Sequence, residues 1–402
     1  MDDVRCKRMK RWNKHIEQWL GSMLMLLLML ASCTSSDTSE EPEKPKEKPV
    51  LKIYIFAPER PIVTRADNGN VNATDEEKAI HTLDVWVFEH ESPYKKVTYT
   101  HLDNLSFDGQ KEVTMELSDE FANYSQKPRV DIFVAANKES CGVTLNENAS
   151  RDDVMAVCIG SNYFGVSSPV SSVPTEGLPM SGWLEQQPVD GIPPVFSAMR
   201  NNVKLVRAVS KVRFVFSQSS VGPPTISDLS IALNGGMIPK EEYLFLEGDY
   251  PIYLSHVKTG SGYEAETTLV TGKGSNDINS CANPGSYLYT TETGQEYETK
   301  INNGLTDPDA EGELKPDLSE LGCFYFHESD QKLTGTISYK LGPEGNQTPK
   351  SVDFEMATAG DFTRNHTWIV YGYFLGSGEL KLNVVDVKGW TEDTSNPIVY
   401  NW

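Results

Sequence analysis

The sequence is short of the features that mark an enzyme. It has no H-E-x-x-H, no two histidines four residues apart and no G-x-S-x-G. Helical metal-ligand spacing and the nucleophile elbow are therefore absent. Gly272 and Gly274 form a G-x-G without its third glycine or a preceding Rossmann strand. In "DPDAEG", Asp307, Asp309 and Glu311 take positions 1, 3 and 5 of an EF-hand loop and Gly312 takes position 6. Leu318 then stands where the bidentate glutamate belongs, so the segment reads as a solvated acidic loop. His81 and His366 read as packed or surface residues. The expectation is a protein with no enzyme activity, no cofactor and no metal.

Positive charge is also scarce. Lys plus Arg is 36 against 57 Asp plus Glu, a net charge of −21. Such a surface repels nucleic acid and anionic headgroups. No short-period repeat is present, which excludes solenoids and propellers. The apolar run at 20–32, "LGSMLMLLLMLAS", falls short of the roughly 20 residues that span a bilayer. It follows the basic "RCKRMKRWNK" and reads as an export signal. Its exit, Leu30-Ala31-Ser32-Cys33, resembles a bacterial lipobox, which implies cleavage before Cys33 and lipid on that cysteine. The alternative is an ordinary signal peptide with a chance cysteine. Residues 1–32 are then signal peptide, and 33–50, polar and proline-rich, a disordered tether.

Of six cysteines, Cys6 leaves with the signal and Cys33 carries lipid. The remaining four, in an oxidising compartment, allow up to two disulfides. Cys141 with Cys158 closes the shorter loop and is the expected pair. The alternative is that all four are buried small hydrophobes.

What is present is a succession of strand patterns. "LKIYIFA" puts Leu51, Ile53, Ile55 and Ala57 on one face, with Tyr54 and Phe56 apolar on the other, so it asks for cover on both sides. Thr74 and Glu77 in "TDEEKAI" have capping-box spacing. "LDVWVFE" and "RVDIFVAAN" read as strands, and "SRDDVMAVCIG" as one short helix capped at Ser150. Residues 160–194, rich in Ser, Pro and Gly, read as a long irregular connection. "VKLVRAVSKVRFVFS" reads as one long strand, with Val212, Phe214 and Phe216 against Lys211 and Arg213. "LTGTISYKL" alternates cleanly. In "GELKLNVVDVKGW" the apolar phase shifts after position 384, which implies a bulge or a strand buried on both faces. The fold class expected is all-β, two antiparallel β-sandwiches in series.

Six of these pieces, in order, resemble the fimbrillins, the subunits of type V pili in anaerobic Gram-negative bacteria. They are "LDVWVFE", "VDIFVAAN", "LPMSG", "VKLVRAVSKVRF" (Leu205, Arg207, Lys211, Val212), "TRNHTWIVYG" (Arg364, Asn365, His366) and "LNVVDVKGW" (Trp390). The resemblance implies two tandem transthyretin-like sandwiches, at 66–206 and 207–402, preceded by a removable strand at 51–65. It implies export to the outer membrane as a lipoprotein, then cutting by an Arg-specific protease, here between Arg65 and Ala66 in "PIVTRADNGN". A strand from another pilus subunit then fills the vacated groove. The terminal Pro397, Ile398, Val399 and Tyr400 are the candidate donor. A host or bacterial surface ligand is an expected partner. The other reading of Arg65 is a solvated loop residue. Two other roles stay open: a lipid-retaining pilus anchor or accessory subunit, and a surface glycan-binding lipoprotein. Cys33→Ala is expected to abolish incorporation of labelled palmitate; undiminished label would reject the lipobox.

Overall fold

Alternation of apolar and polar residues sets the strands, and the strands make nearly all of the structure. The computed structural model describes residues 48–58, 74–107, 109–118, 129–192, 195–198, 203–245, 258, 260–281, 318–387 and 398–401. Cys33, Arg65, Ala66, Pro397 and Trp390 lie outside them, as does the acidic loop at 307–312.

The first half comprises β1 (Val50–Phe56), α1 (Asp75–Lys78), β2 (Leu83–Glu89), β3 (Lys96–Leu102), β4 (Gln110–Glu116), β5 (Arg129–Ala136), α2 (Arg151–Ala156), β6 (Cys158–Gly160), β7 (Met180–Ile192), β8 (Val195–Ala198), β9 (Val203–Lys204) and β10 (Val206–Arg207). One sheet runs β3-β2-β5-β7, with β10 on β7; the other runs β8-β1-β4, with β9 on β1. β7 joins them. Its residues 180–188 pair with β5 and its residues 189–192 with β8. The core between the two layers includes Leu51, Ile53, Val85, Val113, Ile132 and Val203.

The second half comprises β11 (Ser210–Ser219), β12 (Ile226–Leu233), β13 (Glu241–Tyr243), β14 (Thr267–Lys273), β15 (Ser280–Cys281), β16 (Ser319–Phe326), β17 (Leu333–Leu341), β18 (Thr348–Ala357), β19 (Thr367–Phe374), β20 (Leu380–Val387) and β21 (Ile398–Asn401). Its sheets are β16-β11-β19-β20-β21, with β15 also on β11, and β14-β12-β17-β18. Phe214, Phe216, Ile231, Ile337, Phe354 and Trp368 fill the space between them. A third core packs Trp86, Phe133 and Trp183 against Leu244, Phe245 and Tyr325, and so joins the two halves. Residues 48–402 form one compact unit. Among the described residues no helix is long and apolar enough to cross a membrane.

The all-β expectation holds, and several details are corrected. Residues 180–192 are a 13-residue strand rather than irregular chain. One of its glycines is what lets it pack: a Cβ on Gly182 would lie 2.6 Å from Val203 Cγ1 and 2.7 Å from the Lys204 carbonyl. The helix after Ser150 stops at Ala156, and residues 158–160 pair with β13 instead. The run from Val203 is broken into β9, β10 and β11 because its parts serve different sheets. β20 pairs with β19 in unbroken register, so no bulge explains its phase shift. Cys141 and Cys158 are free thiols and no bond joins them. Each sulfur donates to a separate carbonyl, Cys141 to Lys138 at 3.1 Å and Cys158 to Ala156 at 3.5 Å.

His327, just beyond β16, is fully buried beside Glu328 and Arg364. Burial, reinforced by the Arg364 charge, holds its pKa down to about 4. The unfolded chain, titrating near 6.5, binds more protons between these values, so this stability is present above about pH 6.5 and is lost as pH falls towards 4. The difference is worth up to about 3 kcal/mol. His327→Gln is expected to flatten the fall in urea midpoint between pH 7.5 and 4.5; an unchanged slope would contradict it.

Candidate functional site: the seat of the first strand

β1 is a central strand. Along its whole length it pairs antiparallel with β4, from Val50 opposite Glu116 to Phe56 opposite Gln110. On its other side it pairs in parallel with β8 through 50–52 and with β9 through 55–56. Bonds at the ends fix its reach: Leu117 N–H donates to Pro49 O at 2.8 Å, Ala57 N–H to Gly109 O at 2.8 Å, and Leu205 N–H to Phe56 O at 2.9 Å.

The strand is buried on one face only. Leu51 and Ile55 are 0% exposed, Ile53 1% and Ala57 6%. Each of the three large side chains contributes about 1.5–3 kcal/mol by leaving water. Tyr54 and Phe56 on the other face are half-buried, so the cover expected on both sides is present on one. Tyr54 donates its hydroxyl to Glu112 Oε2 at 2.9 Å, and Lys52 Nζ lies 2.7 Å from Glu112 Oε1. Beyond the buried Ala57 and Pro58 the chain enters 59–73, outside the described residues.

The chain returns at Thr74, where it is anchored. Thr74 caps α1 through the predicted box: Glu77 N–H donates to Thr74 Oγ1 at 3.2 Å, and Thr74 N–H to Glu77 Oε2 at 2.7 Å. The same Glu77 carboxylate is 0% exposed. Its Oε1 lies 2.6 Å from Lys211 Nζ on β11 and accepts from the Tyr325 hydroxyl on β16. Burial alone would raise the Glu77 carboxyl; Lys211 and these hydrogen bonds outweigh it and hold it below its usual range. Burial and the Glu77 charge raise the Tyr325 phenol. Arg207 adds a bond from Nε to the Glu77 carbonyl at 2.9 Å and another from Nη1 to Asn365 Oδ1 at 3.3 Å. A single turn of helix thus ties the first half to the second.

Asn137 and Arg364, from two of the other motifs, are internal fasteners too. Asn137 takes a left-handed conformation, φ 54°, which turns its amide inward. Its Oδ1 accepts from His81 and Thr82 N–H, and its Nδ2 donates to Ala79 and Leu178 carbonyls at 2.8 and 2.9 Å. Arg364 donates to Glu328 and to the carbonyls of Tyr243 and Leu244. Glu242, buried beside this pair, has its pKa raised by desolvation and by the Glu328 charge, with Arg364 opposing. His90, Asp131 and Glu185 hold ligand atoms within 4.8 Å of one another. Arg151 Nε lies 2.6 Å from Asp131 Oδ2 and its Nη2 3.8 Å from Glu185, so a guanidinium already supplies the cation there. Ile398, Val399 and Tyr400 lie in β21, whose backbone pairs with residues 383–386 of β20.

Sequence reading found the strand, the cap and the motif residues. It missed that Glu77 is the buried counterion of Lys211; the one signal was a lysine placed among consecutive core positions of β11.

A family model described as "Major fimbrial subunit protein (FimA)" matches residues 60–190. No curated protein matches the chain. Among solved structures, the tip fimbrial protein Mfa3 of Porphyromonas gingivalis is similar at a TM-score of 0.44 and 13% identity, over 88% of this chain and 100% of that one. A fimbrial assembly protein of Parabacteroides distasonis is similar at 0.41 and 14%, over 89% and 100%. The fimbrial anchor protein Mfa2 of P. gingivalis is similar at 0.36 and 9%, over 85% and 98%.

Removing one partner of a buried ion pair leaves an uncompensated charge. Glu77→Leu is expected to cost roughly 3–5 kcal/mol in urea unfolding, and Glu77→Leu with Lys211→Met to recover most of it. Equal losses in both would contradict the anchoring role.

Proposed function

From the match of a fimbrial subunit family model to residues 60–190, we propose that this chain is a pilus subunit assembled by strand exchange. That match supports a structural role at the cell surface, in assembly with other pilus subunits. The finer reading is our own. A lipoprotein precursor, anchored to the outer membrane through Cys33, is cut by an Arg-specific protease between Arg65 and Ala66. β1 leaves, and a strand from another subunit takes its place. The sandwiches divide near 206/207, and the filament supports adhesion to a host or bacterial surface.

One observation carries this reading: β1 is a central strand, paired on both sides, whose only chain connection onward is the segment holding Arg65. Its loss strips hydrogen-bond partners from β4 on one side and from β8 and β9 on the other, and opens an apolar trough between them. Unpaired backbone groups beside apolar surface are what a β-augmenting strand satisfies. The Glu77 anchor supports the same reading, because it lies beyond the cut and would hold the new N-terminus in place.

In cells that make the other pilus subunits, Arg65→Ala is expected to leave a full-length precursor that enters no ladder of polymers on gels, whereas the unaltered chain enters one. Normal filaments from the variant would reject the mechanism. A surface form that retains lipidated Cys33 would instead identify a lipid-retaining accessory subunit.

A further inference from the structure

Strand exchange at β1, if it operates as proposed above, leaves a groove whose chemistry specifies an occupant. β1 itself is the template. Its inward row reads Leu51, Ile53, Ile55, Ala57, four apolar side chains at alternate positions. Its outward row meets an acidic rim on β4: Lys52 on Glu112 at 2.7 Å, and Lys48, just before the strand, on Glu116 at 2.9 Å. Exposed pairs of this kind add little stability, but they discriminate between partners by charge.

The chain's own candidate donor, "TEDTSNPIVYNW" at 391–402, matches the inward row in neither phase and lacks the outward lysines. In one phase it offers Ile398, Tyr400 and Trp402, preceded by Asn396 and Thr394. Two of those three are bulky aromatics, each with a polar group, where the template has Leu or Ile. In the other phase it offers Pro397, Val399 and Asn401, with one aliphatic residue and, at Pro397, no N–H to give. The segment has no Lys or Arg to set against Glu112 and Glu116, and it brings Glu392 and Asp393. The backbone of 398–401 is moreover already paired with 383–386 of β20, pairing that insertion elsewhere would forfeit.

We propose that the groove accepts a strand from a different protein, one with Leu/Ile-type side chains at alternate inward positions and lysines on its outward row. A second copy of this chain, offering residues 391–402, is not the partner. The chain then occupies a place in the filament where unlike subunits meet.

The test uses the full chain, cut with an Arg-specific protease, with the cut at Arg65 verified by mass. Two labelled peptides are offered, one of residues 48–59 and one of residues 391–402, and uptake is read by fluorescence anisotropy. The first peptide is expected to enter, and the second to bind at least ~10-fold more weakly. The cut protein alone is expected to stay monomeric on size exclusion. Lys52→Glu in the first peptide is expected to lower uptake several-fold, and Glu112→Lys in the protein to restore it. Equal uptake of the terminal peptide, or oligomers from the cut protein alone, would overturn the choice of partner while leaving strand exchange standing. Uptake of neither peptide would overturn strand exchange itself, and this inference with it.

Discussion

Backbone groups along two strand edges must be paired, and β1 is what pairs them. A strand at the rim of a sheet can leave with one row of hydrogen bonds broken. β1 has β4 on one side and β8 with β9 on the other, so both rows depend on it. The apolar core of the first half depends on it as well, since Leu51, Ile53 and Ile55 stand in that core with Val85, Val113 and Ile132. A sandwich that owes so much to one terminal strand tolerates its loss only by replacement. That constraint links the fold to assembly.

The second constraint is a fixed point beside the first. Glu77 lies a few residues past the segment that connects β1 to the body. Its carboxylate is held by Lys211 and Tyr325 from the far half of the molecule, and its carbonyl by Arg207 at the end of β10. Removing β1 touches none of these bonds. β9 lies between the two systems: it pairs with β1 at Val203 and Lys204, and Arg207 follows closely after it. Loss of β1 therefore releases one side of the segment that joins the halves while the Arg207 end stays fastened.

Much of this was legible in the sequence, and the failures have physical causes. Strands whose two rows differ in polarity, such as 333–341, announce themselves, and so does the Thr74–Glu77 capping box. Local composition misled at β7, which lies in the Ser-, Pro- and Gly-rich stretch at 160–194 and includes Gly182 and Pro188. There the glycine admits the backbone of 203–204 and the strand turns from one sheet to the next. On β11 the alternation set the charged Lys211 and Arg213 against the apolar row of Val212, Phe214 and Phe216. Both are buried, each neutralised by a carboxylate far away in sequence, Glu77 and Glu320. No local pattern encodes such a partner. Among the described motif residues, Asn137, Arg207, Lys211 and Arg364 are fasteners within the fold.

The most direct measurement is hydrogen exchange on the cut chain after the β1 fragment has been removed. The account predicts that amides at 110–116, 195–198 and 203–204 lose protection, while those at 130–136, inside the opposite sheet, keep theirs. It predicts that protection returns when a peptide of residues 48–59 is added. Unchanged protection at 110–116 with the groove empty would contradict it, because β4 would then owe nothing to β1.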